Sequence, residues 1–455
     1  MIDTEKKMLE KLLGDLYRME IKGLSIDSRN IREGELFVAI KGVRFDGHDF
    51  VPDAMKRGAW GALVERTGFE KKYGNLSGLR NILAVGDTLY ALQELSHMHR
   101  KKFALPVVGI TGSNGKTTTK EMLAGIFRQQ GPVLKNEGNL NNHIGVPLTI
   151  LRLAATHKAA VIEMGMSAPG EIDALARLVN PTIGVITNIG PAHLEFLGSL
   201  DRTAQAKGEL LGHIQSEGTA VLNADDQYCG TLKKKTSVRI VTFGIENNAD
   251  VCASNITPDE GFTDFNLTAD GSTMNVRLPA VGRHNVYNAL AAAAAAVAAG
   301  MSLDAVKFGL DDFAPVAMRS EIRHLQGRTI LADYYNANPA SMEAALVTLV
   351  SMKSSKKAVA VLGDMLELGS ASAEAHREIG KTAVRLGVDV VITIGKLSKH
   401  TAEGAVEAGM PREQVLETQM HDDAAALLRK FSSPGDAVLI KGSRGMKMEM
   451  ILEEF

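Results

Sequence analysis

The chain has 455 residues, of which 51 are basic and 53 acidic, and its formal net charge of −2 argues against a broad nucleic-acid-binding surface. The length is typical of about three domains, and a content of 45% hydrophobic and 23% charged residues excludes a disordered chain. Cys229 and Cys252 fit neither a disulfide framework nor a zinc motif, so we expect two free thiols in a reducing cytoplasm.

The first hundred residues predict a small α/β domain. Charges throughout the first 20 residues exclude a signal peptide, and apolar residues at helical spacing predict an amphipathic helix there. The apolar run 36–40 predicts a buried strand. No apolar run reaches the about 20 residues that a membrane-spanning helix needs, and the alanine-rich run 289–300 predicts a buried helix instead.

From residue 107 the chain alternates between apolar strands and helices, which predicts a parallel sheet covered by helices. The predicted strands are 107–111, 159–163, 182–188 and 219–223, and the clearest helices are 116–129 and 201–213. Residues 236–279 break this rhythm and predict strands with polar loops, inserted before a helix at 283–299.

A second boundary is predicted near residues 311–319, where Pro315 interrupts the pattern before the alternation resumes. The strands predicted beyond it are 329–333, 358–362, 390–394 and 437–440, which indicates a second doubly wound domain. The chain as a whole is therefore predicted to be α/β, with domains at residues 1–104, 105–316 and 317–455.

The segment Val107-Val-Gly-Ile-Thr-Gly-Ser-Asn-Gly-Lys-Thr-Thr118 is the strongest functional signal. A buried strand enters a glycine-containing loop, and Lys116 and Thr117 then open a helix. Loop N–H groups can surround phosphates, Lys116 can neutralise their oxygens, and the Thr117 hydroxyl can reach Mg²⁺. The usual GxxxxGK[ST] pattern has glycine where Ile110 stands here, so an ordinary strand–turn–helix junction is the alternative. The order of strand, glycines, lysine and threonine favours nucleotide binding.

A regulatory GTPase is disfavoured because neither DxxG nor NKxD occurs, which leaves an ATP-using enzyme. Glu163 ends one predicted strand and His193 follows another, so both should lie at the carboxyl edge of the sheet, where ligands bind. A carboxylate there can hold Mg²⁺ and a histidine can add a ligand to a second metal ion. A solvated strand end for Glu163 and a surface role for His193 stay open, and for His193 alone the surface role is favoured. For Lys207, the pattern alone favours a solvated helical lysine.

Polar loops of the first and third domains carry weaker signals. Ser28 and Arg29 lie on a loop beside the strand 36–40, where such side chains can hold a diphosphate, although capping of the loop explains them equally well. Asp333 at a strand end could bind a ribose hydroxyl or a cation. Lys441-Gly-Ser-Arg444 is a basic turn that could meet a carboxylate or a phosphate.

Together these segments resemble the Mur ligases, the ATP-dependent amino acid-adding enzymes of peptidoglycan synthesis. The family's short TGxNGKT loop accounts for Ile110, and Tyr335-Asn-Ala-Asn-Pro339 with Gly363-Asp-Met-Leu-Glu-Leu-Gly369 is similar to the branch that acts in the last step. The likeness covers nearly the whole chain. The other segments that carry it are Asp27-Ser-Arg29, Asp46-Gly-His48, Asn139-Leu-Asn-Asn-His-Ile-Gly-Val-Pro147, Glu163-Met-Gly165, Ala192-His-Leu-Glu195, Ala206-Lys-Gly-Glu209, Gly282-Arg-His-Asn-Val-Tyr-Asn288 and Lys441-Gly-Ser-Arg444.

The resemblance implies a cytoplasmic, monomeric ligase that joins D-alanyl-D-alanine to UDP-N-acetylmuramoyl-tripeptide through an acyl phosphate, using ATP and Mg²⁺. It implies that Ser28 and Arg29 hold the UDP moiety. It implies a metal site of Thr117, Glu163, His193 and a carbamylated Lys207, with Lys116, Glu163, His193 and Lys207 as catalytic residues. The residues implied to bind the nucleotide are Gly112, Ser113, Asn114, Gly115, Lys116, Thr117, Thr118, His284, Asn285, Asn288, Arg319 and Asp333.

Two alternatives stay open from the sequence. One is a related ligase of the same fold that joins another amino acid to another carboxylate, such as the preceding Mur ligase or a polyglutamate-type ligase. The absence of Asp-Asn-Pro-Arg and the presence of Tyr335-Asn-Ala-Asn338 argue against the preceding Mur ligase. The other is a non-catalytic nucleotide-binding scaffold, against which the intact Lys116, Glu163 and Lys207 argue.

Overall fold

The computed structural model describes residues 3–18, 20–74, 81–191, 194–353 and 356–455. Three separate β-sheets organise this part of the chain, one in each of the three predicted domains. Both cysteines are free. No helix within the described ranges is both long and apolar enough to span a membrane.

The first sheet has four parallel strands that lie in chain order. The predicted N-terminal helix is confirmed, and it buries Leu9, Leu12 and Leu13 against this sheet. The elements are strands β1 Gly23–Ser25, β2 Glu35–Val38, β3 Gly61–Glu65 and β4 Ile82–Val85, with helices α1 Asp3–Tyr17, α2 Val51–Lys56, α3 Arg66–Tyr73 and α4 Thr88–Arg100.

Helix α4 joins this first domain to the central one through buried polar contacts. The guanidinium of Arg100 is buried and donates to the carbonyl oxygens of Val179 and Asn180 at 2.9 and 3.0 Å. His99 bonds through Nε2 to the carbonyl oxygen of Leu153 at 2.9 Å. Because buried polar groups that lose their partners are destabilising, these bonds fix the first domain against the second.

The central sheet has nine strands in the order β13-β12-β11-β10-β9-β8-β5-β7-β6. Its strands are β5 Val107–Thr111, β6 Val133–Lys135, β7 Ala159–Glu163, β8 Ile183–Ile186, β9 Thr219–Asn223, β10 Arg239–Gly244, β11 Val251–Asp259, β12 Phe262–Ala269 and β13 Ser272–Leu278. Its helices are α5 Lys116–Phe127, α6 Gly145–Ile150, α7 Glu171–Val179, α8 Leu194–Leu197, α9 Leu200–Gly208, α10 Cys229–Lys233, α11 Arg283–Ala298 and α12 Leu303–Asp311.

The predicted parallel sheet is confirmed for β5 to β10, and β11 pairs in parallel with β10. The strands of the irregular segment then extend the same sheet, because β12 pairs antiparallel with β11 and β13 pairs antiparallel with β12. Helix α11 covers this sheet beside α5. Its alanines 291–296 are fully buried, and their small side chains allow the sheet and α5 to pack closely against α11.

The predicted helix 201–213 differs in the structure, where α9 ends at Gly208 and a 3₁₀ helix covers Glu209–His213. The tighter turn brings the Glu209 carboxylate to the start of α7, where it accepts bonds from the backbone N–H of Gly170 and Asp173 at 2.9 and 3.0 Å. These N–H groups would otherwise lack partners at a helix start. Contacts between distant segments therefore override the local helical pattern.

The third sheet has six strands in the order β14-β15-β19-β16-β17-β18, all parallel except the edge strand β14. The elements are β14 Glu321–Leu325, β15 Arg328–Ala332, β16 Ala358–Gly363, β17 Val390–Ile394, β18 Val415–Thr418 and β19 Ala437–Lys441, with helices α13 Pro339–Met352, α14 Ser372–Leu386, α15 Lys399–Glu407, α16 His421–Phe431 and α17 Met450–Glu453. The α/β fold class is thus confirmed, while the domain boundaries at 104 and 316 stay predictions.

Candidate active site

A cavity of about 1270 Å³ opens between the central and C-terminal sheets. Most of the predicted site residues line it: Ser113, Asn114, Gly115, Lys116, Thr117, Thr118, Glu163, His284, Asn285, Asn288, Arg319 and Asp333. Gly112 and Lys207 lie outside its lining, as do Ser28 and Arg29 in the first domain. His193 lies outside the described residues, so its position stays a prediction.

The phosphate loop joins β5 to α5 and is pinned to the end of the neighbouring strand β8. The backbone N–H of Ser113 donates to the carbonyl oxygen of Asn188 at 3.0 Å, and that of Asn114 donates to Asn188 Oδ1 at 2.9 Å. Lys116 folds back over the loop, and its Nζ donates to the Gly112 carbonyl oxygen at 2.8 Å. Lys116 is half-buried, and this burial lowers its pKa although the Glu163 carboxylate opposes the shift.

Gly115 is required at the start of α5 for two reasons. Its φ of +82° lies in the left-handed region, which glycine adopts without strain. A Cβ atom built there would lie 2.0 Å from Asn288 Oδ1 on α11. The loop and α11 can therefore approach each other only because residue 115 has no side chain.

Replacing Gly115 by alanine is expected to destabilise the protein and weaken ATP binding. The left-handed backbone alone costs an alanine about 1–2 kcal/mol, and the contact with Asn288 adds to this. The free energy of unfolding and the ATP dissociation constant, measured by denaturant titration and calorimetry, would check the prediction. Gly230→Ala in α10 is the matched control, because a Cβ there meets nothing within 4 Å. Equal effects of the two substitutions would contradict the argument.

Glu163 ends β7 and faces the helix start across the cavity wall. Its Oε2 accepts a bond from the Thr117 hydroxyl at 2.8 Å, and its Oε1 accepts one from Asn141 Nδ2 at 2.8 Å. Burial alone would raise the pKa of Glu163, but the ammonium groups of Lys116 and Lys120 outweigh it and the pKa is lowered. Glu163 is therefore an ionised, ordered carboxylate beside the phosphate loop.

The Thr117–Glu163 pair fits a hard cation such as Mg²⁺. A hydroxyl and a carboxylate oxygen lie 2.8 Å apart at the phosphate loop, and Mg²⁺ is usually held by one or two carboxylates together with substrate phosphates. Among the residues that the structure describes, no cluster of three or more histidine, cysteine, aspartate or glutamate side chains offers a metal cage. This donor set suits a cation that arrives with a nucleotide.

Three polar residues that support Glu163 were missed by the sequence argument. Asn136 Oδ1 accepts a bond from the Glu163 N–H at 2.8 Å, and its Nδ2 donates to the Glu163 carbonyl oxygen at 2.9 Å. Lys120 is buried, donates to the Asn136 carbonyl oxygen at 2.9 Å and lies 3.6 Å from Glu163 Oε2. A lysine one turn after Lys116 and the asparagine-rich run after β6, which contains Asn141, were the available signals.

Lys207 lies in the last turn of α9 and is only 2% exposed, contrary to the solvated lysine that the pattern favoured. Burial, reinforced by the nearby charge of Lys116, holds the pKa of Lys207 well below its ordinary value. A buried amine in this situation favours the neutral, nucleophilic form.

Arg319 and Tyr335 form the C-terminal wall of the cavity, where the guanidinium lies 3.9 Å from the centre of the tyrosine ring. Arg319 stands between two non-glycine residues with positive φ, Met318 at +63° and Ser320 at +49°. Such conformations cost about 1–3 kcal/mol each and persist where surrounding contacts impose them. The backbone between the second and third sheets is thus strained beside the cavity.

Asp333 lines the cavity, but both of its carboxylate oxygens have partners within the protein. Lys441 Nζ donates to Oδ2 at 2.6 Å, and the Ser320 N–H donates to Oδ1 at 3.0 Å. His284 approaches the same segment, with its Nε2 at 3.0 Å from Ser320 Oγ. Burial lowers the pKa of His284, which favours the neutral ring. A role of Asp333 towards a nucleotide stays a prediction.

The Asp27-Ser-Arg29 and Asp46-Gly-His48 segments of the first domain make different contacts in the structure. Asp27 accepts two bonds from the Arg29 guanidinium at 2.9 and 2.8 Å, and Arg29 lowers the pKa of Asp27 to about 2. His48 is buried, and its Nε2 accepts a bond from the Glu65 N–H at 2.9 Å. Asp46 caps the 3₁₀ helix that contains His48. Ser28 and Arg29 follow β1 at the carboxyl edge of its sheet, where ligands bind in open α/β folds.

Three family models match successive parts of the chain. Residues 20–100 match the Mur ligase family catalytic domain, residues 110–296 the Mur ligase middle domain, and residues 318–444 the Mur ligase glutamate ligase domain. The chain is 37% identical to a protein of Bacillus subtilis named UDP-N-acetylmuramoyl-tripeptide--D-alanyl-D-alanine ligase, over 99% of this chain and 98% of that protein.

Solved structures give the same result for the fold. A crystal structure of MurF from Acinetobacter baumannii is 34% identical with a TM-score of 0.87, over 95% of this chain and 93% of that one. The crystal structure of MurF ligase from Thermotoga maritima in complex with ADP is 30% identical with a TM-score of 0.85, over 96% of this chain and 97% of that one.

Proposed function

The chain belongs to the Mur ligase family, and we propose that it joins D-alanyl-D-alanine to UDP-N-acetylmuramoyl-tripeptide with cleavage of ATP to ADP and phosphate. The observation that carries this is the hydrogen-bonded Thr117–Glu163 pair beside Lys116, which faces a cavity that the C-terminal domain also lines. Full-length similarity to relatives with this activity supports the choice of substrates. ATP and UDP-linked precursors are cytoplasmic, so we place the enzyme there.

The phosphate loop is proposed to bind ATP with the triphosphate over its N–H groups and the start of α5. Lys116 and Arg319 are the cations that face these phosphates, and each perturbs the Glu163 carboxylate electrostatically. Asn285 and Asn288 on α11, with His284, lie where the rest of the nucleotide would extend. Ser28 and Arg29 would hold the UDP group on the first domain.

Thr117 and Glu163 would hold Mg²⁺, which supplies positive charge at the phosphate oxygens when it is bound. Asn141 and Lys120 keep the Glu163 carboxylate in place for this task. Since phosphoryl transfer is catalysed mainly by positioning and charge neutralisation, a rigid arrangement of these side chains is what the reaction requires.

The reaction is proposed to proceed in two steps. The terminal carboxylate of the tripeptide attacks the γ-phosphorus of ATP, which forms an acyl phosphate and releases ADP. The amine of the dipeptide then attacks the acyl carbon, loses a proton, and expels phosphate to leave the new amide. Lys116 neutralises charge on the transferred group in both steps. The acyl phosphate must be protected from water, and a cavity that lies between two domains suits that protection.

We also propose that Lys207 carries a carbamate. The lone pair of a neutral Nζ attacks CO₂, an N–C bond forms, and the nitrogen releases one proton. The buried position of Lys207 and its lowered pKa favour this chemistry. An ammonium beside bound Mg²⁺ would be repelled, whereas a carbamate offers oxygen ligands that suit a hard cation. Glu163, His193 and the carbamate would then hold a second Mg²⁺.

A substrate screen with the purified protein tests the proposed function. We expect one ADP per amide formed when UDP-N-acetylmuramoyl-tripeptide and D-alanyl-D-alanine are both present, and no turnover when either is omitted. Mass spectrometry of the product and a coupled ADP assay would measure this. Strong preference for a single amino acid over the dipeptide would instead favour a related ligase, and turnover of a folate or polyglutamate acceptor would favour the polyglutamate type.

A further inference from the structure

The side-chain amide of Asn338 at the start of α13 contacts both its own helix and the phosphate loop. The Oδ1 atom of Asn338 accepts a bond from the backbone N–H of Ser341 at 2.9 Å. The backbone N–H of Asn338 donates to Ser341 Oγ at 3.0 Å, so the two residues form a capping box. Its Nδ2 donates to Asn114 Oδ1 at 2.8 Å. One side chain therefore begins a helix of the C-terminal domain and contacts the phosphate loop of the central domain.

Asn114 is held from behind by the end of β8. Its N–H donates to Asn188 Oδ1 at 2.9 Å, and its carbonyl oxygen accepts a bond from the Thr187 hydroxyl at 2.6 Å. Both neighbours belong to the central domain, so the backbone at residue 114 cannot follow the C-terminal domain. The bond from Asn338 consequently joins two rigid supports, a pinned loop and a capped helix.

Asparagine at position 338 has a hydrogen-bond donor that a helix cap does not require. Serine, threonine, aspartate and asparagine all cap helices, because each offers a side-chain oxygen to the first N–H groups. Of these four, only asparagine also has an N–H₂ group, which can donate to a second partner while its oxygen stays on the helix. The amide nitrogen of Asn338 makes the shorter bond to Asn114, at 2.8 Å, while Asn114 Nδ2 donates to Asn338 Oδ1 at 3.5 Å.

We propose that Asn338 is a positioning residue that docks the C-terminal domain onto the phosphate loop through Asn114. The pair joins the two walls of the cavity at the loop that the proposed function assigns to the ATP phosphates, and the proposal rests on that assignment. A second bridge, from His284 to Ser320, lies at the start of α11, which also lines the cavity. Docking at the loop itself makes closure sensitive to the loop's conformation.

The test separates capping from docking by using two substitutions at one position. Asn338→Ser keeps a capping oxygen and removes the bridging nitrogen, whereas Asn338→Ala removes both. We expect the melting temperature of Asn338→Ser to match that of the wild type and Asn338→Ala to melt lower. We expect kcat of Asn338→Ser to fall roughly 2- to 12-fold, as for the loss of one hydrogen bond, with little change in the KM for ATP.

Asn114→Ala completes the double-mutant cycle. In the Asn114→Ala background, Asn338→Ser should cause no further loss of kcat, because the bond is already broken. Small-angle X-ray scattering with a non-hydrolysable ATP analogue should give a larger radius of gyration for either variant than for the wild type. Multiplicative losses of kcat, or scattering indistinguishable from the wild type, would overturn the proposal. Inactivity of the wild type towards every acceptor would instead remove the proposed function, while the scattering result would still test the docking contact.

Discussion

Replacement of Lys116 by alanine is expected to reduce the rate of ligation about 100- to 1000-fold while the protein stays folded, as for the loss of one charge-stabilising group from a preorganised site. Lys116 is half-buried and its Nζ bonds to the Gly112 and Ser113 carbonyl oxygens, so its removal costs the loop one or two hydrogen bonds and opens no core cavity. Steady-state assays of ADP release and circular dichroism would measure the two effects.

Two further variants make the Lys116 result specific. Lys116→Met keeps most of the aliphatic stem and removes only the charge, so it should be as inactive as the alanine variant. Lys158→Ala removes the same charge from an exposed position outside the cavity lining and should retain wild-type turnover. Near-native ligation by Lys116→Met would show that the charge of this side chain does not act on the phosphates.

Replacement of Lys207 is expected to have the second large effect, a loss of roughly 10- to 100-fold or more, as when a group that orders a metal site is removed. The side chain is buried and close enough to Lys116 to be influenced by its charge. If a carbamate there helps to hold a cation, Lys207→Ala should regain part of its rate on addition of formate or acetate, because either ion supplies the missing carboxylate oxygens. Rates measured against carboxylate concentration would check this.

Lys207→Arg is the informative comparison, because it keeps a positive charge but cannot form the carbamate. It should be inactive, and short carboxylates should not restore it because the vacated space is filled. Carbon-13 NMR of the wild type with labelled CO₂ should show a carbamate resonance that is absent from Lys207→Arg. Full activity of Lys207→Arg, or a wild type that is active in CO₂-free buffer without this resonance, would contradict the carbamate.

The sequence predicted those parts of the site that depend on chain order. A strand followed by a glycine loop and Lys116-Thr117 places a phosphate loop whatever the tertiary contacts are, and Glu163 at the end of β7 follows from the parallel sheet. The solvated position favoured for Lys207 was wrong, because the pattern of one helix does not reveal which other elements cover it. The family resemblance assigned Lys207 to the metal site instead, and that assignment stays a prediction.

The contacts that Asn136 and Asn338 make with the site could not be predicted from the sequence, for a related reason. Asn136 meets Glu163 across 27 positions and Asn338 meets Asn114 across 224. An asparagine can cap a loop, pair with a strand end or bridge two domains, depending on which residues the fold places beside it. The residues next to it in the sequence do not indicate which of these contacts it makes. Asparagine followed by proline is a general signal for a helix start, whereas nothing in the sequence indicates the bond from Asn338 to Asn114.

The alanine run of α11 links the packing of the central domain to the position of two asparagines that line the cavity. Residues 291–296 are fully buried, and Asn285 and Asn288 on the first turns of the same helix line the cavity. A methyl group added anywhere in the run would displace the helix along or away from the sheet, and the two asparagines would move with it. The run begins about 4.5 Å from Asn288 along the helix axis, at a rise of about 1.5 Å per residue, so substitutions in this run are constrained by the proposed nucleotide site. A substitution in this run that altered ATP use would therefore act by displacing the helix and its two asparagines, without contacting the ligand.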